Sequence, residues 1–197
     1  MANKAKNPDV VALDVETTGL QIPGGGVAHP DEIIQLAIVS DTQTLYNEYF
    51  KPEHNSIKPA AQKVNSISYA MTKSKPLFSE RVEEIRSVLS KADLIVMYNA
   101  EFDTAFLKHQ RAYTGWPPAF CMMKAFSYMR SRNNKTYQKE RRYSLEQCAS
   151  YFTVHISGYV HDAQVYAKTT LACYREMCRQ IGLWKRQDNG YGQNYVY

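Results

Sequence analysis

The sequence predicts a single α/β domain on a mixed sheet. Three observations carry this reading: short β-branched runs clustered in the first fifty residues, an apolar run at 94–100 unbroken enough to be a strand buried on both faces, and amphipathic or capped helical segments around it. A chain of 197 residues with 44% hydrophobic residues has enough apolar material for one core. No internal repeat or second domain is visible.

In chain order, residues 9–15, DVVALDV, and 32–40, EIIQLAIVS, read as strands. Between them LQIPGGGVAHPDE carries a Pro and three successive Gly, which belong to no regular element and predict a flexible loop, a lid beside the end of the first strand. Residues 44–50, TLYNEYF, alternate Leu45, Asn47 and Tyr49 against Thr44, Tyr46 and Glu48, as a partly solvated third strand closing a meander would. A short helix is expected over 57–65. In a second, at 79–90, Val82, Ile85, Val88 and Leu89 share one face. The run LIVMYNA at 94–100 reads as the buried strand, followed by a helix from Phe102 with Phe106 one turn on: a parallel strand–helix unit. Further helices are expected around 119–131, at 144–152, where Ser144 and Gln147 have capping-box spacing, and from 162 to about 180. The polar tail, rich in Gly and Tyr, predicts a domain at 1–183 and a loosely held segment at 184–197.

The net charge of +5 favours a polyanionic partner only weakly. The first apolar run is short and broken by Asp14, unlike a signal peptide, and no apolar stretch reaches the length of a membrane helix, so the expectation is a soluble, cytoplasmic protein with no membrane partner. Cys121, Cys148, Cys173 and Cys178 form no C-x-x-C pair and lack the His partners of a zinc site, which predicts reduced, mostly buried thiols.

The strongest chemical signal is Asp14-Val15-Glu16 at the end of the first strand, because residues two apart on a strand point to the same side. Two carboxylates on one side form half of a cage for Mg²⁺, a hard ion that takes oxygen ligands and keeps several waters. Alone, such a pair is more often a solvated surface feature. Here LDVETTGL is followed in order by EIIQLAIV, YNAEFDTAFL and YVHDAQVYA. In these motifs the chain resembles the DEDDh superfamily of 3′→5′ exonucleases, the family of polymerase proofreading subunits and RNase T.

The resemblance implies an RNase H-like fold, a three-stranded meander plus parallel strands flanked by helices, and hydrolysis of phosphodiester bonds at a 3′ end with two Mg²⁺ or Mn²⁺ ions per site. Asp14 and Glu16 would bind the metals, Asp103 would reach the second from its helix start, and His161 would be the general base. The chemistry calls for such a set, since two ions about 4 Å apart can activate the attacking water and stabilise the leaving oxygen. Thr17, Thr18, Leu20, Asn99 and Phe102 resemble contacts to the terminal nucleotide, although Phe102 also opens the apolar face that it shares with Phe106.

The family's third motif is H-x-A-x-x-D, and here it reads His161-Asp162-Ala163-Gln164-Val165-Tyr166. A tyrosine, neutral at pH 7, stands where the fourth carboxylate belongs. Three explanations stay open: a weakened site that binds ends without cutting, a deliberate substitution that traps substrate, or replacement by Asp162, one helical turn before Tyr166. Against the last, Asp162 is also placed to cap the helix.

From Lys124 to Arg142 the chain carries seven Lys or Arg against one Glu, interleaved with Phe126, Tyr128 and Tyr137. That composition suits a groove that follows a phosphate backbone and stacks unpaired bases, and it also suits a plain solvated loop. The sequence therefore supports a metal-dependent exonuclease acting on single-stranded DNA or RNA 3′ ends. The alternative is a catalytically impaired relative that binds ends or serves as an accessory factor. A polymerase or repair partner is left open.

Overall fold

The computed structural model describes residues 9–24, 29–132, 141–158 and 161–182. The tail from 184, the middle of the Gly-rich loop and much of the basic segment, including Tyr137, lie outside the described residues. The first three strands are β1 (Val10–Thr17), β2 (Ile33–Val39) and β3 (Thr44–Tyr49). They form the expected meander, β1 antiparallel to β2 and β2 to β3. Then come α1 (Pro59–Asn65), α2 (Tyr69–Thr72), a 3-10 turn at Phe78–Arg81, and α3 (Val82–Leu89). The strand β4 (Leu94–Met97) runs parallel to β1 and leads into α4 (Ala100–His109). After it follow β5 (Ala119–Cys121), α5 (Met122–Arg132), α6 (Leu145–Phe152) and α7 (Ala163–Gln180). The sheet order is β3-β2-β1-β4-β5, with β5 parallel to β4.

Several boundaries differ from the sequence expectation. The helix expected from 119 begins at Met122, because Ala119–Cys121 pair with Ile95–Met97 as an edge strand. Pro59 opens α1, since its missing N–H is one that a first helical turn leaves unpaired anyway. The run at 94–100 ends as a strand at Met97, so α4 starts two residues before Phe102. The four-residue α2 was not anticipated. The capping box on α6 is present: Ser144 Oγ accepts from Gln147 N–H, and the Gln147 side chain accepts from Ser144 N–H at 3.0 Å.

The sheet separates two apolar layers. On one side Val11, Leu13 and Val15 pack with Leu36, Ile38, Phe50, Ile85, Leu89 and Phe106, under α3 and α4. On the other, Val10 and Ala12 pack with Val96, Phe126, Leu145, Phe152 and Leu171, under α5, α6 and α7. Alternation along β1 thus assigns its even-numbered residues to the α7 face. Cys148, Cys173 and Cys178 are buried thiols, while Cys121 is partly exposed. Among the described residues no helix is long and apolar enough to cross a membrane.

Candidate active site

The α7 face of β1 changes character halfway along. Val10 and Ala12 are sealed, but Asp14 and Glu16, next on the same face, remain partly open to solvent. A bulge between Glu16 and Thr17 then ends the regular pairing with β2. The following turn is tied down by Asp31, a buried carboxylate that accepts from Thr18 Oγ1 at 3.0 Å, Gln21 N–H at 2.8 Å and Lys58 Nζ at 2.7 Å. Gly19 lies so close to this knot that a Cβ there would meet Asp31 Oδ2 at 2.5 Å. Close approach, rather than backbone conformation, explains the glycine.

Asp103 enters from α4. Asn99 stands at the N-cap, and Asp103, in the first turn, is 3% exposed with its Oδ1 accepting from Val15 N–H at 3.2 Å. The start of α4 is thereby fastened to the middle of the acidic tripeptide.

These carboxylates press on one another. Burial, and after it the charges of Asp103, Glu16 and Asp162, push the Asp14 carboxyl well above the usual range. Burial lifts Glu16 to about 8, with Asp103 and Asp162 adding to it and a hydrogen bond from the Asn65 side chain opposing it. Burial also lifts Asp103 to about 7, although backbone N–H groups pull it down. Among the described residues no cationic side chain is a cause of these shifts. Hard oxygen donors that burial and neighbouring negative charge raise in this way fit a divalent cation. Among the described residues no three such side chains already surround a single point, so binding would draw them inward.

The facing wall is the start of α7. Asp162 is its N-cap: Oδ1 accepts from Gln164 and Val165 N–H at 3.0 and 3.1 Å, while Oδ2 accepts from Gln35 Nε2 at 3.0 Å and from Tyr49 Oη at 3.5 Å. Gln35, fully buried on β2 opposite Glu16, also accepts from Ala163 N–H and so clamps the helix start to the sheet. His161 immediately precedes the cap, with its ring centroid 5.2 Å from that of Tyr166. Tyr166 donates its hydroxyl to Glu146 Oε1 at 2.5 Å. Burial first, then that hydrogen bond and the charges of Glu146, Asp14 and Glu16, keep the phenol protonated.

The remaining expected contacts divide. Thr17 and Thr18 are buried, their hydroxyls spent on Gly19 O at 2.6 Å and on Asp31. Their backbone is engaged as well, Thr18 N–H donating to Glu32 O, Thr18 O accepting from Lys58 N–H and Thr17 O from the Asn65 side chain. Leu20 is 82% exposed beside the site. Phe102 is half-buried against Phe106, 4.9 Å between centroids, so it belongs to the core at least in part. In the basic segment Phe126 is core, not a stacking platform, and Lys124 is bonded to Glu101. Tyr128 is exposed, and Arg130 and Arg141 lie over the rings of Tyr151 and Tyr143. A cleft of about 460 Å³ opens there, lined by Arg130, Tyr143, Glu146, Gln147 and Tyr151 among others. Asp31, Gln35, Asn65 and Glu146 were missed from sequence, since each acts through a partner distant in the chain.

A family model described as RNase T, exonuclease, matches residues 11–174. The chain belongs to this exonuclease family. The match spans β1 to α7, and with the RNase H-like sheet it bears out the resemblance read from the motifs. Among curated proteins, this family member is 26% identical over 176 residues to the PolC-type DNA polymerase III of Caldanaerobacter subterraneus, covering 88% of the chain and 12% of that protein. It is 31% identical over 107 residues to the DNA polymerase III epsilon subunit of Pasteurella multocida, covering 51% of the chain and 40% of the subunit. The chain thus spans less than half the length of either relative. Among solved structures, exonuclease X in complex with 5′-overhanging duplex DNA shares the fold at a TM-score of 0.57 and 21% identity, covering 89% of this chain and 94% of the other. Exonuclease I gives 0.69 and 17%, covering 88% and 41%.

Proposed function

We propose that this exonuclease-family chain hydrolyses single-stranded DNA or RNA from the 3′ end with Mg²⁺ or Mn²⁺. The observation that supports the reading is Asp14 and Glu16 on one face of β1 with Asp103 bonded to the N–H of Val15 between them, all three raised by burial and the two β1 carboxylates also by neighbouring negative charge. When bound, the metals supply a lowered water pKa and charge stabilisation for the leaving oxygen. The chain's own residues do the rest. Asp14 and Glu16 hold the ions from β1, Asp103 from α4, and His161, across the cleft at the head of α7, accepts the proton of the attacking water. The backbone of Thr17–Leu20, immobilised by Asp31, and the exposed Leu20 side chain border the terminal nucleotide. Arg130 and Arg141 offer the approaching strand charge and flat surface on α5 and before α6.

The test is degradation of 5′-labelled single-stranded DNA and RNA of one sequence, with and without Mn²⁺ or Mg²⁺. A ladder of shortened labelled products that disappears with EDTA and with Asp14→Ala supports the reading. Release of the label as a mononucleotide would reverse the direction of attack. A second reading has one specific observation in its favour: Tyr166 puts a protonated phenol at the fourth carboxylate position. On that reading the protein binds 3′ ends without cutting. Tight, metal-independent binding of the same oligonucleotides with no ladder would establish it. The names of the relatives alone support a polymerase partner, which co-purification tests.

A further inference from the structure

Tyr166 is bonded away from the carboxylates of β1. Its hydroxyl donates to Glu146 on α6, and its ring lies against the imidazole of His161, the two planes inclined at 31°. Glu146 is in turn close enough to His161 for the imidazole's charge to be felt by its carboxyl. Tyr166, in the first turn of α7, therefore links Glu146 on α6 to His161 before the cap of α7. His161 also sits in the left-handed region, at φ 69°, where non-glycine residues are uncommon and persist when their surroundings over-determine them. A base carried on such a residue needs its ring direction fixed by neighbours.

We propose that Glu146 and Tyr166 form one positioning unit for His161: Glu146 fixes the phenol through its hydroxyl, and the phenol ring so held supports the imidazole from its face. The position that carries a metal ligand in the family has exchanged that task for orientation of the base, because a phenol whose proton is committed to Glu146 offers a metal only a neutral oxygen. This inference rests on the exonuclease reading and on His161 as its base. It predicts that the pair acts on turnover, not on metal or substrate binding.

The experiment compares Tyr166→Phe, Glu146→Gln and Glu146→Asp, singly and on a His161→Ala background. Tyr166→Phe and Glu146→Gln should each lower kcat on the order of ten- to a hundredfold, as misorientation of a catalytic group does. KM and the Mn²⁺ affinity of the protein, read by calorimetry, should not move. The double variant should be no worse than either single one, Glu146→Asp should keep more turnover than Glu146→Gln, and neither should cost anything further once His161 is Ala. In the metal-free protein, nuclear Overhauser contacts should join the rings of His161 and Tyr166, and the imidazole signals should shift in Glu146→Gln while the spectrum of the β1 strand stays in place. Wild-type turnover in Glu146→Gln, losses that persist without His161, or a drop in Mn²⁺ affinity with Tyr166→Phe would each overturn the positioning role while leaving the nuclease reading intact. A protein that shows the ring contact and binds Mn²⁺ yet never cuts overturns the nuclease reading, and the positioning role falls with it.

Discussion

Two groups of carboxylates in this domain lie in environments that oppose one another. On the β1 and α4 side, Asp14, Glu16 and Asp103 are raised by burial, and Asp14 and Glu16 also by neighbouring carboxylates. On the α6 side, burial also acts on Glu146, yet hydrogen bonds from Ser144, Tyr166 and its own backbone, with the charge of His161, bring it below its ordinary value. Asp31, behind the turn, follows the second pattern, with Lys58, Gln21 and Thr18 as its donors. Burial alone does not make a metal site. What distinguishes the first group is that burial and like charge outweigh its few donors, such as the Asn65 side chain on Glu16 and the Val15 N–H on Asp103, so a divalent cation would relieve it.

The largest effect should come from removing a member of the unsatisfied group. Asp14→Ala should abolish the 5′-labelled ladder, a fall of about a thousandfold or more, since several kcal/mol of charge stabilisation vanish with the ions. Glu32, a carboxylate of the satisfied kind, accepts from the backbone N–H of Glu53, His54 and Asn55. Glu32→Gln should leave the ladder in place. Equal losses in the two variants would erase the distinction between the groups.

The turn between the groups is the next test. Gly19→Ala drives a methyl into Asp31, whose carboxylate cannot retreat without releasing Thr18 and Gln21. The overpacking should cost about 1–3 kcal/mol. For a chain of this size the melting temperature should drop by roughly 2–4 °C per kcal/mol. Unchanged stability would show that the turn yields to the methyl without loosening Asp31.

The sequence exposed the unsatisfied group and hid the satisfied one for a physical reason. Asp14 and Glu16 are two apart on a strand, so alternation alone places them together. Asp103 follows an apolar strand at a helix start, a local pattern too. Glu146 in the first turn of a capped helix reads as an ordinary dipole-complementing acid, and its contact with Tyr166 exists only because α6 and α7 pack together. Asp31 likewise reads as a loop residue until Lys58 and Thr18 are seen around it. The strand β5 escaped because three residues after Pro117-Pro118 carry no period, and the pairing with β4 that defines them is not local.

Converting Tyr166 back to a carboxylate sharpens the comparison further. Tyr166→Asp replaces a neutral phenol by a carboxylate, adding one negative charge near Asp14 and Glu16, and frees Glu146 of its donor. Mn²⁺ should bind on the order of tenfold tighter, the scale of one added charge contact in a partly solvated site. If His161 loses its support at the same time, kcat should not rise with the affinity. Tighter metal together with faster cleavage would instead identify this chain as a disabled form of its family.

The smallest effect is thermal, and in it the two groups should pull in opposite directions. Glu16 and Asp103 hold their protons to about 8 and about 7 in the folded metal-free protein, against roughly 4 in an unfolded chain. Where the folded state binds more protons, stability falls as pH rises, so their contribution is complete below about pH 4 and is lost as pH climbs through 7 to 8. Asp31 and Glu146 are lowered, so what they contribute is present above roughly pH 4 and is lost as pH falls through their folded values. The melting temperature without metal should therefore decline on both sides of a mildly acidic maximum. Asp31→Asn should flatten only the acid limb, and Asp14→Asn only the alkaline one. Mn²⁺ selects the ionised carboxylates, so adding it should lift the alkaline limb and leave the acid limb alone. A melting temperature without metal that stays level from pH 6 to 8 would mean that Glu16 and Asp103 are already relieved by solvent, and the argument that this wall requires a cation would lose its electrostatic basis.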